Sequence, residues 1–209
     1  MKKVDLHKVL DGKWEDGTRP KDLYKLYISE HPEKYSETIA EGLRGDNRRI
    51  QNGCAELASL LSEKYPKSLY SHMPLFIENL RAKEPVLRWE AACTIGNLAA
   101  VDKDKQIPAH LPVLFEFLHD KSIVLQGHSV KALAKCAKVY PEKAPEIFKK
   151  LTGAKENFPG NRIGYLIEAM DAFAKDDALK KKVIRFVEAY KDSDIKSVAK
   201  KAEKVLKKL

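Results

Sequence analysis

One segment of this chain returns thirty-eight residues after it first occurs. His72, Pro74, Glu78 and Leu80 are followed in the same register by His110, Pro112, Glu116 and Leu118, and Pro145 to Leu151 repeats the proline-to-leucine spacing. The stretch after the first copy, Leu80 to Ala100, sets Leu87, Ala91, Ile95 and Leu98 at helical spacing, with Ala92 and Ala99 widening the stripe. Pro85 stands at its start, where a missing N–H and a fixed φ cost a helix least. That second pattern recurs as well. Ala58 and Leu61 lie 37 residues before Ile95 and Leu98, and Leu125 and Leu133 lie 38 after Leu87 and Ile95. Val198, Ala202, Leu206 and Leu209 fall 111 residues after Leu87, Ala91, Ile95 and Leu98, three steps of 37. Tyr65-Pro66 and Tyr140-Pro141 close equivalent helices two repeats apart. A period of this length marks helix-pair units that cannot bury an apolar face alone and must stack.

The frame divides the chain. Residues 1–18, with Gly12, Gly17, Asp11, Asp16 and Trp14, show little periodicity; Val4, Leu6, Val9 and Leu10 suit one short docked turn or helix. Residues 19–209 read as a single repeat domain. A helix over 19–31, opened by Pro20 and carrying Leu23, Tyr24, Leu26 and Tyr27, covers the first repeat's apolar face. Repeats follow at 33–65, 67–103, 106–140, 142–174 and 177–209. The turn within the fourth, Thr152 to Asn161, is longer and richer in turn formers than the others. No strand-like alternation occurs.

The segment Pro85, Val86, Leu87, Arg88, Ala91, Ala92, Ile95, Gly96, Leu98, with the proline-led first helices, resembles the HEAT-repeat family, the helix-pair repeats of importin-β and adaptin-like scaffolds. The resemblance spans residues 33–209 and is sharpest in the two central repeats. It implies an all-α, armadillo-like fold: a right-handed superhelical solenoid of about five helix pairs with an extra N-terminal helix. Arg88 and Arg162 fit the family's arginine ladder, whereas Gln126 replaces the arginine of the third repeat. It further implies that the second helix of each pair lines the concave face.

Composition limits the function. At 33% charged and 44% hydrophobic residues, the chain suits stacked helices with one buried and one solvated face each. No run approaches the ~18 apolar residues of a membrane span. Asp5, His7 and Lys8 interrupt the N-terminal segment after Lys2 and Lys3, so it does not read as a signal peptide, and a cytoplasmic location is expected. Cys54, Cys93 and Cys136 lie among alanines and leucines of second helices without metal-ligand spacing, as buried free thiols do. His72 and His110 stack by register but number too few for zinc, and read as exposed first-turn residues.

Two clusters qualify as binding surfaces. On the second helices the frame aligns Asn52, Trp89 and Gly127, then Glu56, Cys93 and Lys131, then Asn97 and Lys135. Trp89 beside the gap left by Gly127 reads either as an interface anchor or as an indole packed between second helices. The second cluster is Lys196, Lys200, Lys204 and Lys208 along the final helix. Of the net charge of +9, +6 lies in Lys175–Leu209, with 12 basic and 6 acidic residues.

Catalysis is not expected. The His-Glu dipeptides of the HEAT-repeat enzyme deoxyhypusine hydroxylase are missing, and the position one turn after Trp89 is Cys93 rather than the nearby aspartate an alkylpurine glycosylase would use; bilin lyases with similar repeats are harder to exclude, because they offer no specific residue to match. No phosphate loop, nucleophile elbow or paired carboxylates appear. The sequence therefore points to a non-enzymatic scaffold that binds a protein or peptide on its concave face. No cofactor, metal, membrane or small-molecule substrate is implied. The alternative is nucleic-acid binding through the basic C-terminal repeat, in a DNA-repair-like role.

Overall fold

The computed structural model describes residues 4–209; Lys2 and Lys3, on which the reading of the N-terminus partly rests, lie outside them. Among the described residues every regular element is helical. They form two compact units, one ending at Asp104 and one running Lys105–Leu209.

The first unit is built around α4, Arg48–Lys64. Its partners are α1 (Leu6–Asp11), α2 (Pro20–Leu23, continued by a π-helical turn at Tyr24–Ile28), α3 (Pro32–Arg44), α5 (Pro66–Leu69) and α7 (Pro85–Leu98), with α6 (Met73–Asn79) packed on α7. Prolines open α2, α3, α5 and α7, each at a position where the absent N–H has no intrahelical acceptor to lose. Leu10, Ile28, Ile39, Leu57, Ala58, Leu61, Leu69, Ile95 and Leu98 are fully buried, so α4 is apolar on nearly every side that a neighbour covers. Small residues set the closest approach. A Cβ on Gly42 of α3 would lie 2.4 Å from Cys54 Sγ, and one on Gly53 of α4 would lie 2.5 Å from Leu10 Cδ2. Leu6 and Leu10 thus dock the N-terminal turn onto α4 through a notch that only glycine leaves open.

Asn47 joins these parts. Its Oδ1 accepts from the backbone N–H of Arg49 (2.9 Å) and Ile50 (3.3 Å), capping α4, while its Nδ2 donates to Asp11 Oδ1 at 2.6 Å at the end of α1. Asn47→Ala is expected to cost about 1 kcal/mol, the usual worth of an N-cap, read as a lower urea midpoint with unchanged slope. The polar register within the unit is set by Gln51, whose Nε2 donates to Gly45 O (2.7 Å) and Leu43 O (3.4 Å) and so binds the turn between α3 and α4.

The second unit holds α8 (Leu111–Phe117), α9 (Ile123–Val139), α10 (Ala144–Gly153), α11 (Ile163–Ala169, continued as a 3-10 turn to Phe173), α12 (Asp177–Glu188) and α13 (Lys196–Leu206). Here α9 is central, packing on α8, α10 and α11, and α13 closes over α11 and α12. Ser122 caps α9 through Leu125 N–H at 3.3 Å and itself donates its N–H to Asp120 Oδ1 at 2.7 Å. Gln126 repeats the role of Gln51: its Nε2 donates to Asp120 O (2.9 Å) and Leu118 O (3.4 Å). Its own Oε1 accepts from Arg162 Nη1 at 3.0 Å. The departure from the arginine ladder is therefore a working substitution, in which an amide ties down the turn and hands its oxygen to the next repeat's arginine. The long turn before α11 is anchored by the buried ring of Phe158 and by Asn157 Nδ2, which donates to Leu118 O at 3.2 Å.

Candidate binding faces

In the first unit α4 carries Asn52 and Glu56, and α7 carries Trp89, Cys93 and Asn97. Trp89 is half-buried, and its indole Nε1 donates to Glu90 Oε1 at 3.2 Å. Glu90 is the residue that sequence reading passed over. Burial is the largest influence on it and pushes its carboxyl up to about 7; a hydrogen bond with Ser59 opposes that, Glu56 adds repulsion, and the Trp89 N–H opposes it slightly. Its hydrogen-bond partners are thus neutral groups. Glu56 is raised as well, chiefly by burial, with Lys21 on α2 pulling the other way. A glutamate inside a helix that is otherwise apolar on almost all sides is the signal that could have flagged it.

The other predicted residues of this unit separate by role. Asn97 faces inward: its Nδ2 donates to Ser62 Oγ at 2.8 Å and Ser59 O at 3.4 Å, stitching α7 to α4. Asn52 lines an open recess of about 350 Å³ with Trp14, Arg48 and Arg49. Arg49 lies 5.8 Å from the Trp14 ring centroid, and Asn52 Oδ1 is buried with no hydrogen-bond partner. Cys93 is half-buried, unlike Cys54 and Cys136, because it lies on the face of α7 turned from the core. Burial pushes the Cys54 thiol up to about 12, so it stays protonated and inert. His72 is not the exposed residue that its register suggested. Its side chain keeps 10% exposure, with Nε2 at 3.5 Å from Glu37 Oε2.

In the second unit α9 carries Gly127, Lys131 and Lys135. Gly127 leaves no gap. It is buried, and a Cβ there would touch the ring of Tyr165 on α11 at 3.5 Å. Lys201 Nζ lies over that ring, 5.6 Å from the centroid, and the same ammonium pairs with Glu168 at 3.0 Å. Lys131 and Lys135 are exposed and border a groove of about 240 Å³ between α9 and α11, floored by Val130, Ala134, Ala169 and Tyr165.

Of the terminal lysines, Lys196, Lys200 and Lys204 are exposed along α13. Lys208 lies beyond that helix and departs from the row: its Nζ donates to Asp171 Oδ1 at 3.0 Å, while Lys138 holds the other oxygen at 3.1 Å. Lys208 first, and Lys138 after it, hold the Asp171 carboxyl below its usual range. A cavity of about 690 Å³ lies at this end of α9. The lysines at its wall are offset by Asp171 and by the carbonyl end of the helix. Among the described residues no group of histidine, cysteine and carboxylate side chains could hold a metal, and no helix is long and apolar enough to cross a membrane.

No protein-family model and no curated relative matches this sequence. Solved structures do match it. A designed armadillo repeat protein in complex with the peptide (KR)4 superimposes with a TM-score of 0.70 at 16% identity, covering 97% of this chain and 89% of that one. Kap121p bound to Pho4p gives 0.70 at 13% identity over 91% of this chain and 21% of the larger protein. The armadillo repeats only protein of Plasmodium falciparum gives 0.55 at 14%, covering 95% and 99%. At these identities the likeness establishes the fold: all-helical, armadillo/HEAT-like repeats with an added N-terminal helix.

Proposed function

We propose that this armadillo/HEAT-type chain is a binding scaffold that takes a protein or peptide segment on its second-helix faces, with Trp89, Glu56 and Glu90 as the contact centre of the first unit. The observation that carries the reading is a half-buried indole locked to a carboxylate whose partners are uncharged. An arriving lysine or arginine would supply the missing cation, drive Glu90 into its charged form and pack its stem on the indole face. Solved neighbours of the same fold support it, one holding the peptide (KR)4 and one bound to Pho4p. Nothing in this reading calls for catalysis.

The test is binding of a labelled (KR)4 peptide, followed by anisotropy and by Trp89 emission in a Trp14→Phe background. Trp89→Ala is expected to weaken binding roughly thirtyfold, the scale of an interface hot spot, with helical content and melting temperature nearly unchanged. Undiminished binding would move the contact away from Trp89. A fall of many degrees in melting temperature would make the indole a packing residue.

A further inference from the structure

The first turn of α4 is charged against the helix dipole. Acidic side chains suit the N-terminal end of a helix, yet Arg48 and Arg49 stand there and no acidic residue does. The backbone N–H groups of Arg49 and Ile50 are taken by Asn47 Oδ1, so this end offers a ligand its side chains. Arg48, Arg49, Trp14 and Asn52 line one open recess of about 350 Å³, and no carboxylate stands in its wall. Glu84 pairs with Arg48 from outside that wall. Arg49 lies over the Trp14 ring and meets no carboxylate among the described residues. The half-buried indole is held in place: its Nε1 donates to Leu10 O at 2.9 Å, and Leu10 is seated against Gly53 of α4. Asn52 Oδ1 is buried without a hydrogen-bond partner, a state that few buried polar atoms occupy unless a ligand or ion completes them.

We infer that this recess binds a nucleoside phosphate, with the phosphate on Arg49, the base against the Trp14 ring and the base's amino group on the Asn52 amide. A guanidinium fork grips phosphate through two parallel hydrogen bonds. Arg48 adds to the field beside it, although Glu84 shares that charge. The indole offers any base a stacking surface. The Asn52 amide then selects among bases: it accepts from an exocyclic amine and donates to the adjacent ring nitrogen, as asparagine does with adenine. A turn about its last torsion, a soft one, brings the orphaned oxygen into the recess. A bare phosphate or carboxylate would leave both the indole and that acceptor unused, and the ring of a phosphotyrosine carries no donor. The volume suits a small-molecule ligand. The inference goes beyond the scaffold reading and uses neither Trp89 nor Glu90. A free nucleotide and a nucleotide of a single strand share this chemistry, and the experiment separates them.

The probe is adenosine 5′-monophosphate, titrated into the full chain by calorimetry and followed by Trp14 emission in a Trp89→Phe background. Saturable binding is expected at about millimolar concentration or below. Adenosine and ribose 5-phosphate should each bind about tenfold more weakly or worse, because each lacks one of the two main contacts. Arg49→Gln should cost the nucleotide about tenfold, with an unchanged melting temperature since that side chain is exposed. Uridine 5′-monophosphate, which has no exocyclic amine, should bind the parent more weakly than the adenine nucleotide, and Asn52→Leu should erase that preference. A single-stranded oligo(dA) that displaces the nucleotide, and loses affinity with Arg49→Gln, would identify a strand as the source. A strand that fails to displace it would identify the free nucleotide. No binding of the nucleotide at about 10 mM, undiminished binding by Arg49→Gln, or ribose 5-phosphate or phenyl phosphate binding as tightly as the nucleotide would each overturn the proposal.

Discussion

Gln126→Leu is expected to destabilise the chain by roughly 3 kcal/mol, the sum of a charge-assisted hydrogen bond and of buried acceptors left without their donor. At this chain length such a loss lowers the melting temperature by about 6–12 °C. The side chain is 5% exposed, so water cannot replace what is removed. Three partners change at once. Asp120 O and Leu118 O lose a donor, although Asn157 Nδ2 still reaches Leu118 O, and Arg162 loses the oxygen 3.0 Å from its Nη1. Arg162→Leu alone should cost less, since the Gln126 amide keeps its two donor bonds. The double variant should show a coupling of about 1 kcal/mol or more, because the two side chains share a bond. Gln126→Arg should not restore stability, for it sets two guanidinium groups against each other where the amide had offered an acceptor. A small loss for Gln126→Leu would mean that the turn carbonyls are reached by water.

Gln126 also shows what the sequence makes legible and what it leaves dark. The repeat period follows from burial alone: a helix pair with one apolar face must find a neighbour, and the positions that face the neighbour recur. Helix openings follow from Pro20 and Pro85, whose backbone chemistry is local, while Pro32 and Pro66, legible as the ends of the helices before them, also open the next ones. Hence the all-helical repeat fold could be read in advance. Side-chain exchanges between helices could not. The register shows Gln126 as a departure, yet only the geometry shows that its amide binds a turn and feeds Arg162. Gly127 reads as a gap because a missing side chain is visible in sequence, while the ring that fills the space comes from Tyr165, thirty-eight residues on. Asn97 reads as surface because asparagine is polar, but two serine-bearing turns of α4 satisfy its amide. Glu90 is the opposite error: its raised carboxyl reflects burial first, with Ser59, Glu56 and Trp89 acting beside it, and no single one of these predicts it.

Glu90 yields a second large effect, one that depends on pH. Glu90→Gln is expected to stabilise the chain by roughly 2 kcal/mol above pH 7 and to have little effect near pH 4.5. In the folded state the carboxyl holds its proton up to about 7, whereas an ordinary glutamate releases it near 4.5. Between those values the folded chain binds the extra proton, so stability falls as pH rises through the window and is level above it. Glutamine keeps the shape and the polar contacts to Trp89 and Ser59 but never ionises, which removes that slope. The groups facing the carboxyl are Ser59 and Glu56 on α4 and Trp89 on its own helix, with Lys21 on α2 acting through Glu56. Glu56→Gln should therefore shift the window down and make it narrower, because one source of repulsion is gone while burial persists. Urea unfolding of the parent and both variants at pH 5 and pH 8 measures this directly. If the parent and Glu90→Gln change in parallel between the two, the carboxyl beside Trp89 is open to water. If only the parent loses stability at the higher pH, the face presents a buried acid that a docking cation can ionise, and (KR)4 affinity should rise across the same window.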